Sequence, residues 1–161
     1  MSGFIEIAYN LRVAAGPGTV RAHYVDLHHR GLARVHRRER LRERAPGPTG
    51  PRFECLARVG WSTGLDVWER HERPDGSVLD QCVAGPHWGR SIIARFRPDP
   101  KAAHEGTVLE LTLTQPLRPV LARFLGRVLR ARLEAELRQF AAEIRADVER
   151  GWRPQRHLRA A

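Results

Sequence analysis

The stretch PLRPVLARFLGRVLRARLEAELRQFAAEIRADVERG, residues 116–151, decides the architecture. Pro116 and Pro119 fall where a helix accepts proline, in its first turn. Apolar side chains then recur in steps of three and four at Leu117, Val120, Leu121, Phe124, Leu125, Val128, Leu129, Leu133, Leu137, Phe140, Ile144 and Val148. On a helix these positions draw one apolar stripe, and arginines and glutamates fill the other side. Gly151 follows the last periodic residue and Pro154 comes soon after, which together form a stop signal. The helix is roughly 50 Å long at its rise per residue, so its stripe needs a broad apolar partner.

The upstream chain reads as the sheet that supplies one. Phe4 to Val13 alternates, with Ile5, Ile7, Tyr9, Leu11 and Val13 on one side and Glu6, Ala8, Asn10 and Arg12 on the other. Gly16-Pro17-Gly18 breaks this strand, and Thr19 is a candidate cap for a short helix through Leu27 with Val20, Tyr24 and Leu27 on one face. His28 to Val35 is a second short helix or a turn, broken at Gly31. Strands are expected over Arg38–Arg44, Phe53–Trp61, Leu65–Arg73, Ser77–Ala84, Trp88–Arg97 and Thr107–Thr114. Pro74-Asp75-Gly76 supplies a tight turn, because proline presets φ and glycine tolerates positive φ. Strands joined by turns this short must pair antiparallel. With the helices on one face, the class is an α+β layer fold.

Bulk properties narrow the function classes. A chain of 161 residues is one domain in expectation, here residues 1–152 followed by a basic tail, 153–161. Cys55 and Cys82 form neither a disulfide framework nor a four-cysteine metal site, and both fall in expected strands. No apolar run is long enough to span a membrane, and the first residues lack the features of a signal peptide, so a cytoplasmic protein is expected. The net charge is +10 and the pI near 11.3, with Lys101 the only lysine. Arg30, Arg34, Arg37, Arg38, Arg40, Arg42 and Arg44 form the densest basic run, yet no aromatic residues are interleaved with them. A base-stacking platform is therefore missing, and nucleic acid is not the expected partner. The basic surface leaves a non-catalytic module for an acidic partner as an alternative.

The order of strand, two short helices, about six more strands and one long helix resembles the helix-grip superfamily, also called START-like, SRPBCC or Bet v 1-like. The resemblance implies a curved antiparallel sheet wrapped around the C-terminal helix, with a hydrophobic cavity between them and two short helices closing one end. It also implies a hydrophobic small-molecule ligand such as a polyketide, lipid or isoprenoid, and possible activities that include cyclase or aromatase chemistry. A fold that hosts so many activities does not choose one.

One branch is closer in its residues. The segment Tyr24 to His36 is similar to the Asp-x-x-His-x4-His motif of the catalytic domain of Rieske-type ring-hydroxylating oxygenases. Asp26 and His29 have that motif's separation, and His36 comes two residues late. Phe140 to Asp147 resembles the carboxylate segment of that domain, with Glu143-Ile144 where the family often has Glu-Asp. The resemblance implies an Fe(II) site made by His29, His36 and Asp147, with Asp26 orienting a histidine. The Rieske cluster ligands are absent, so electrons would come from a separate redox partner. Outside that resemblance no cofactor is expected, and a homodimer is compatible with the chain.

Other groups have two readings each. His29, His36 and Asp26 are candidates for proton transfer, and His23 and His28 lie near the same Asp26; solvated helix partners are the plainer reading. Trp61, Trp68, Trp88, Phe96, Phe124 and Phe140 either line a pocket for a planar ligand or fill the core between sheet and helix. His87-Trp88 reads as a cavity mouth or a surface turn, and Arg90, Arg95 and Arg97 either hold an anionic ligand group or face solvent, with solvent the expected outcome. Gly126 lies inside the long helix, at about 1 kcal/mol against alanine.

Overall fold

The computed structural model describes residues 3–32, 41–59, 62–117 and 119–153. Its elements run β1 (Gly3–Val13), α1 (Pro17–Val25), α2 (Leu27–Leu32), β2 (Arg42–Arg44), β3 (Arg52–Val59), β4 (Ser62–Glu72), β5 (Val78–Ala84), β6 (Ser91–Pro98), β7 (Thr107–Leu117) and α3 (Pro119–Glu149). All the strands join one antiparallel sheet in the order β1-β7-β6-β5-β4-β3-β2. The first strand closes against the last, Gly3 opposite Leu117 and Val13 opposite Thr107. With α1, α2 and α3 against the curved sheet, this is the helix-grip α+β fold.

Alternation explains the layers. Ile5, Ile7 and Val13 of β1, and Leu109, Leu111 and Leu113 of β7, are buried at every second position. They meet Val20 and Tyr24 of α1 and Leu133, Leu137, Ala141, Ile144 and Val148 of α3 in one cluster. A second, smaller cluster holds Leu27, Phe53, Trp68 and Cys82, with Leu41, Cys55 and Ile92 at its margin. The long helix packs on β1 and, to a lesser extent, β7; the second cluster lies on β3, β4 and β5 and shares Ile92 at its margin with the first.

Several boundaries differ from the sequence reading, each for a local reason. Pro116 and Leu117 extend β7, so the helix opens at Pro119. Pro116 lies past the last β6 partner, Thr114, where no ladder bond to β6 is lost. Helix α1 begins at Pro17 with Gly16 as its cap, which leaves Thr19 inside the first turn. The expected break at Ser62-Thr63-Gly64 is strand, and Gly64 is needed there because a Cβ would lie 2.6 Å from Pro86 Cγ. Trp88 belongs to the turn before β6, which Gly85 and Gly89 close at φ values of 110° and 82°. The stop signal holds: Gly151 has φ 97°, and its N–H reaches the Val148 carbonyl at 3.1 Å.

The largest departure concerns the apolar stripe. Its second half is buried, but Phe124, Leu125 and Val128 are exposed, Phe124 at 75%. Periodicity reports that a helix is amphipathic, and says nothing of what covers each turn.

Candidate functional site

The short helices carry the first constellation. Asp26 ends α1, and its Oδ1 accepts the backbone N–H of His29 at 2.8 Å, so it caps α2 and fixes where His29 points. His23, on the buried face of α1, is fully enclosed. Its Nε2 lies 2.8 Å from Asp147 Oδ2 of α3, and the same oxygen accepts a hydrogen bond from His29 Nε2. Trp152 stands behind both imidazoles, with ring centres 5.0 Å from His23 and 5.7 Å from His29. Burial pushes the Asp147 carboxyl up, but hydrogen bonds from His29 and His23, and their charge, outweigh it and leave the group below its ordinary value.

The ligating atoms of His23, His29 and Asp147 all lie within 4.8 Å of one another. Two imidazoles and one carboxylate converging from three helices are a donor set that suits iron or zinc. His29 and Asp147 thus meet as the sequence suggested, while His23 pairs with Asp147 rather than with Asp26. His36 and Trp61 lie outside the described residues. Glu143 accepts a hydrogen bond from Gln139 one turn earlier, at 3.1 Å.

A second constellation holds the short helices onto the sheet. Arg70 of β4 and Asp80 of β5 form a bidentate pair, Nε to Oδ1 at 2.6 Å and Nη2 to Oδ2 at 2.6 Å. The Tyr24 hydroxyl donates to Asp80 Oδ2 at 3.0 Å, and Arg70 Nη1 donates to the carbonyls of Tyr24 and Val25 at 3.2 Å each. Arg30 Nη1 donates to the Tyr24 carbonyl at 2.9 Å, so two cations sit at the C-terminal end of α1, where the helix dipole favours positive charge. Burial, and next the Asp80 carboxylate, raise the Tyr24 hydroxyl well above its ordinary value and keep it a donor. Phe96 and Phe140 pack edge-on around the Tyr24 ring, at 5.6 and 6.0 Å.

The third lies at the opposite end of the same sheet face. Asp66 is two residues before Trp68 and four before Arg70 on β4, so all three share one side. His87, in the turn between β5 and β6, gives its ring Nδ1 to Asp66 Oδ2 at 2.7 Å and its backbone N–H to Oδ1 at 3.0 Å. Arg90 is largely buried rather than in solvent. Its Nε donates to Gln115 Oε1 at 2.5 Å, and its Nη1 lies 3.9 Å from Glu136 Oε2 of α3. Between these two ends, Trp68 stacks on Phe53 with ring centres 6.3 Å apart. Its Nε1 is buried and has no hydrogen-bond partner among the described residues. The other aromatic candidates sit apart: Trp88 is 71% exposed on its turn, and Phe124 is exposed on α3.

The sequence offered a signal for the buried ionic groups. Asp66, Arg70 and Asp80 occupy inward positions of strands whose neighbours on that side are apolar, and a charge in a buried register calls for a partner. Among the described residues, one further cleft of about 450 Å³ opens between the β1–α1 and β6–β7 connections, beside Gly16, Thr19, Asp99 and His104.

No protein-family model matches the chain, and no curated protein resembles it in sequence. Solved structures do share its architecture. A START superfamily protein from Mycobacterium smegmatis aligns with a TM-score of 0.73 and 14% identity over 92% of this chain and 99% of that one. The Zhui aromatase/cyclase from Streptomyces sp. R1128 aligns at 0.70 and 16% over 92% and 95%. Norcoclaurine synthase from Thalictrum flavum, solved with dopamine and hydroxybenzaldehyde, aligns at 0.70 and 12% over 94% and 90%. At these identities the likeness carries the fold, START-like and helix-grip, and nothing finer. No helix among the described residues is long and apolar enough to cross a membrane.

Proposed function

We propose that the protein binds a hydrophobic, ring-bearing small molecule against the face of β3, β4 and β5 beside α3, and converts it by cyclase-like proton transfer. The observation that carries this reading is the Trp68 indole, a donor buried in an apolar cluster without an acceptor among the described residues. An orphaned buried donor is rare in a finished core and costs about 1–3 kcal/mol. A ligand with a flat apolar body and one carbonyl or hydroxyl oxygen answers both needs: stacking beside Phe53 and Trp68, and a bond to Nε1. The position of α3 supports it too, since the helix lies over β1 and β7 and leaves this part of the sheet to smaller neighbours. Enzymes on the same fold, the aromatase/cyclase and norcoclaurine synthase, support the reading by analogy.

Titration with anilinonaphthalene sulfonate tests the binding. The expected result is saturable fluorescence at one site per chain, lost or weakened in Trp68→Phe, which keeps the ring surface but removes the donor. Absence of saturable binding by the wild type contradicts the reading.

The convergence of His23, His29 and Asp147 favours a second reading, in which this end of the molecule holds a divalent metal ion. His23 and His29 would each offer Nε2 and Asp147 its Oδ2, while the Asp26 cap keeps His29 in place. Bound Fe(II) supplies oxygen chemistry when a separate redox protein delivers electrons. Elemental analysis after growth in iron-rich medium tests it: stoichiometric metal in the wild type and none in Asp147→Ala supports the site, and metal-free wild type refutes it.

A further inference from the structure

His87 has the geometry of a working acid–base group rather than a turn residue. Its Nδ1–H is committed to Asp66, which is 2% exposed and is itself held in place by the His87 backbone N–H. That bond commits Nδ1–H to the carboxylate and leaves Nε2 without a hydrogen bond among the described residues. The side chain is 18% exposed, so part of its ring is open to a small molecule. Arg90 follows closely in the chain, and its N–H closes the turn onto the His87 carbonyl at 2.9 Å. Its guanidinium is bonded through Nε to the neutral Gln115 and has Nη2 uncommitted among the described residues.

Two electrostatic facts agree with this geometry. Burial raises the Asp66 carboxyl, yet the hydrogen bonds and charge of His87, with help from Arg90, leave it below its ordinary value. Burial lowers the Arg90 guanidinium even with Glu136 and Asp66 nearby, as expected of a cation short of partners. The remaining titratable groups around the pair are Cys82, whose thiol burial pushes up to about 12, and Cys55. The Cys82 thiol therefore stays protonated at neutral pH and does not compete as a base.

We infer that His87, oriented by Asp66, is the proton-transfer group of the proposed pocket, and that Arg90 is the cation that holds the enolate of an apolar ketone. The inference rests on the pocket reading above. His87 Nε2 takes a proton from the carbon beside the carbonyl. The C–H electron pair becomes the carbon–carbon double bond, the carbonyl π pair moves onto oxygen, and the oxyanion is stabilised by Arg90. The imidazolium exchanges its N–H proton with solvent and then delivers a solvent-derived proton to carbon, which restores the ketone with its hydrogen exchanged. Where a hydroxyl stands on the next carbon, the proton goes to that oxygen, the C–O pair departs with it as water, and the enolate electrons form the new double bond. No oxidant, reductant or cofactor enters either path.

The test is hydrogen–deuterium exchange into β-tetralone in heavy water, followed by proton NMR. Anilinonaphthalene sulfonate displacement measures binding of the same ketone in the same samples. Wild type is expected to speed exchange saturably over free imidazole at equal concentration. His87→Gln is expected to lose about a hundredfold or more of that rate while its affinity for β-tetralone changes little; His87→Asn is the second variant should the first fail to fold. Arg90→Met is expected to slow exchange with binding retained. Wild type that binds β-tetralone without speeding exchange overturns the inference and leaves the pocket standing, as does His87→Gln at the wild-type rate. Wild type that binds neither probe removes the pocket, and this inference with it.

Discussion

Replacing Asp80 with alanine tests whether the sheet and the short helices are joined by a buried charge pair. Arg70 and Asp80 are 2% and 4% exposed and bonded twice at 2.6 Å. Asp80→Ala leaves the guanidinium buried with only the Tyr24 and Val25 carbonyls, and takes the acceptor from the Tyr24 hydroxyl. Breaking a buried pair from one side costs about 3–5 kcal/mol, and the lost hydroxyl bond about 1 kcal/mol more. A domain whose whole stability is about 5–15 kcal/mol is then close to unfolding. In urea, with a slope of about 2 kcal/mol per molar, the midpoint should fall by about 2–3 M. Removing both charges in Arg70→Met/Asp80→Leu should recover most of this, because no uncompensated ion remains, although the two carbonyl bonds at the end of α1 stay lost. Equilibrium urea unfolding followed by circular dichroism measures all three proteins. The reasoning fails if Asp80→Ala stays within about 1 kcal/mol of wild type, or if the double variant is less stable than the single one.

Three further outcomes follow from the packing. A Cβ at Gly126 would meet nothing within 4 Å, so Gly126→Ala should stabilise the protein by about 0.5–1 kcal/mol in thermal or urea unfolding; a loss of stability would mean that the helix surface there is covered. Leu137→Ala should cost about 2–5 kcal/mol, because Leu137 is 2% exposed, whereas Phe124→Ala on the same helix should stay within about 0.5 kcal/mol. The carboxyl of Asp66 is lower in the folded than in the unfolded chain, so its stabilisation is complete above the unfolded value near 4 and is lost as pH falls through the folded value. Asp66→Asn should therefore lose stability less steeply than wild type on the acid side of about pH 4, read as unfolding midpoints across a pH series.

Much of the fold was legible because it rests on local rules. The alternation of Ile5, Ile7, Tyr9, Leu11 and Val13 names the buried side of β1, and Pro74-Asp75-Gly76 marks the turn between β4 and β5, where Gly76 has φ 79°. The order of elements is enough to suggest a helix-grip arrangement. What stayed hidden depends on pairing across distance. His23 meets Asp147 across 124 residues and His87 meets Asp66 across 21, and no helical spacing announces either. The periodicity of His23 and Asp26 on one helix pointed to the nearer partner, which instead caps α2. Arg90 was expected in solvent as one of the arginines of the expected strand Trp88–Arg97, yet the register that sets Ser91 opposite Thr114 turns it toward Gln115 and Glu136. The apolar first half of α3 shows the same limit from the other side, since a stripe can be read from spacing but its cover cannot.

The most direct measurement is the amide and indole NMR spectrum of uniformly nitrogen-labelled protein during addition of β-tetralone. The chain has 4 tryptophans, so the Trp68 indole N–H is assignable by a single substitution. If a guest oxygen completes that buried donor, the Trp68 indole signal moves progressively and saturates with the ligand. An indole signal that stays fixed while the ketone perturbs residues elsewhere, or perturbs none, contradicts a binding site on the face of β3, β4 and β5 beside the long helix.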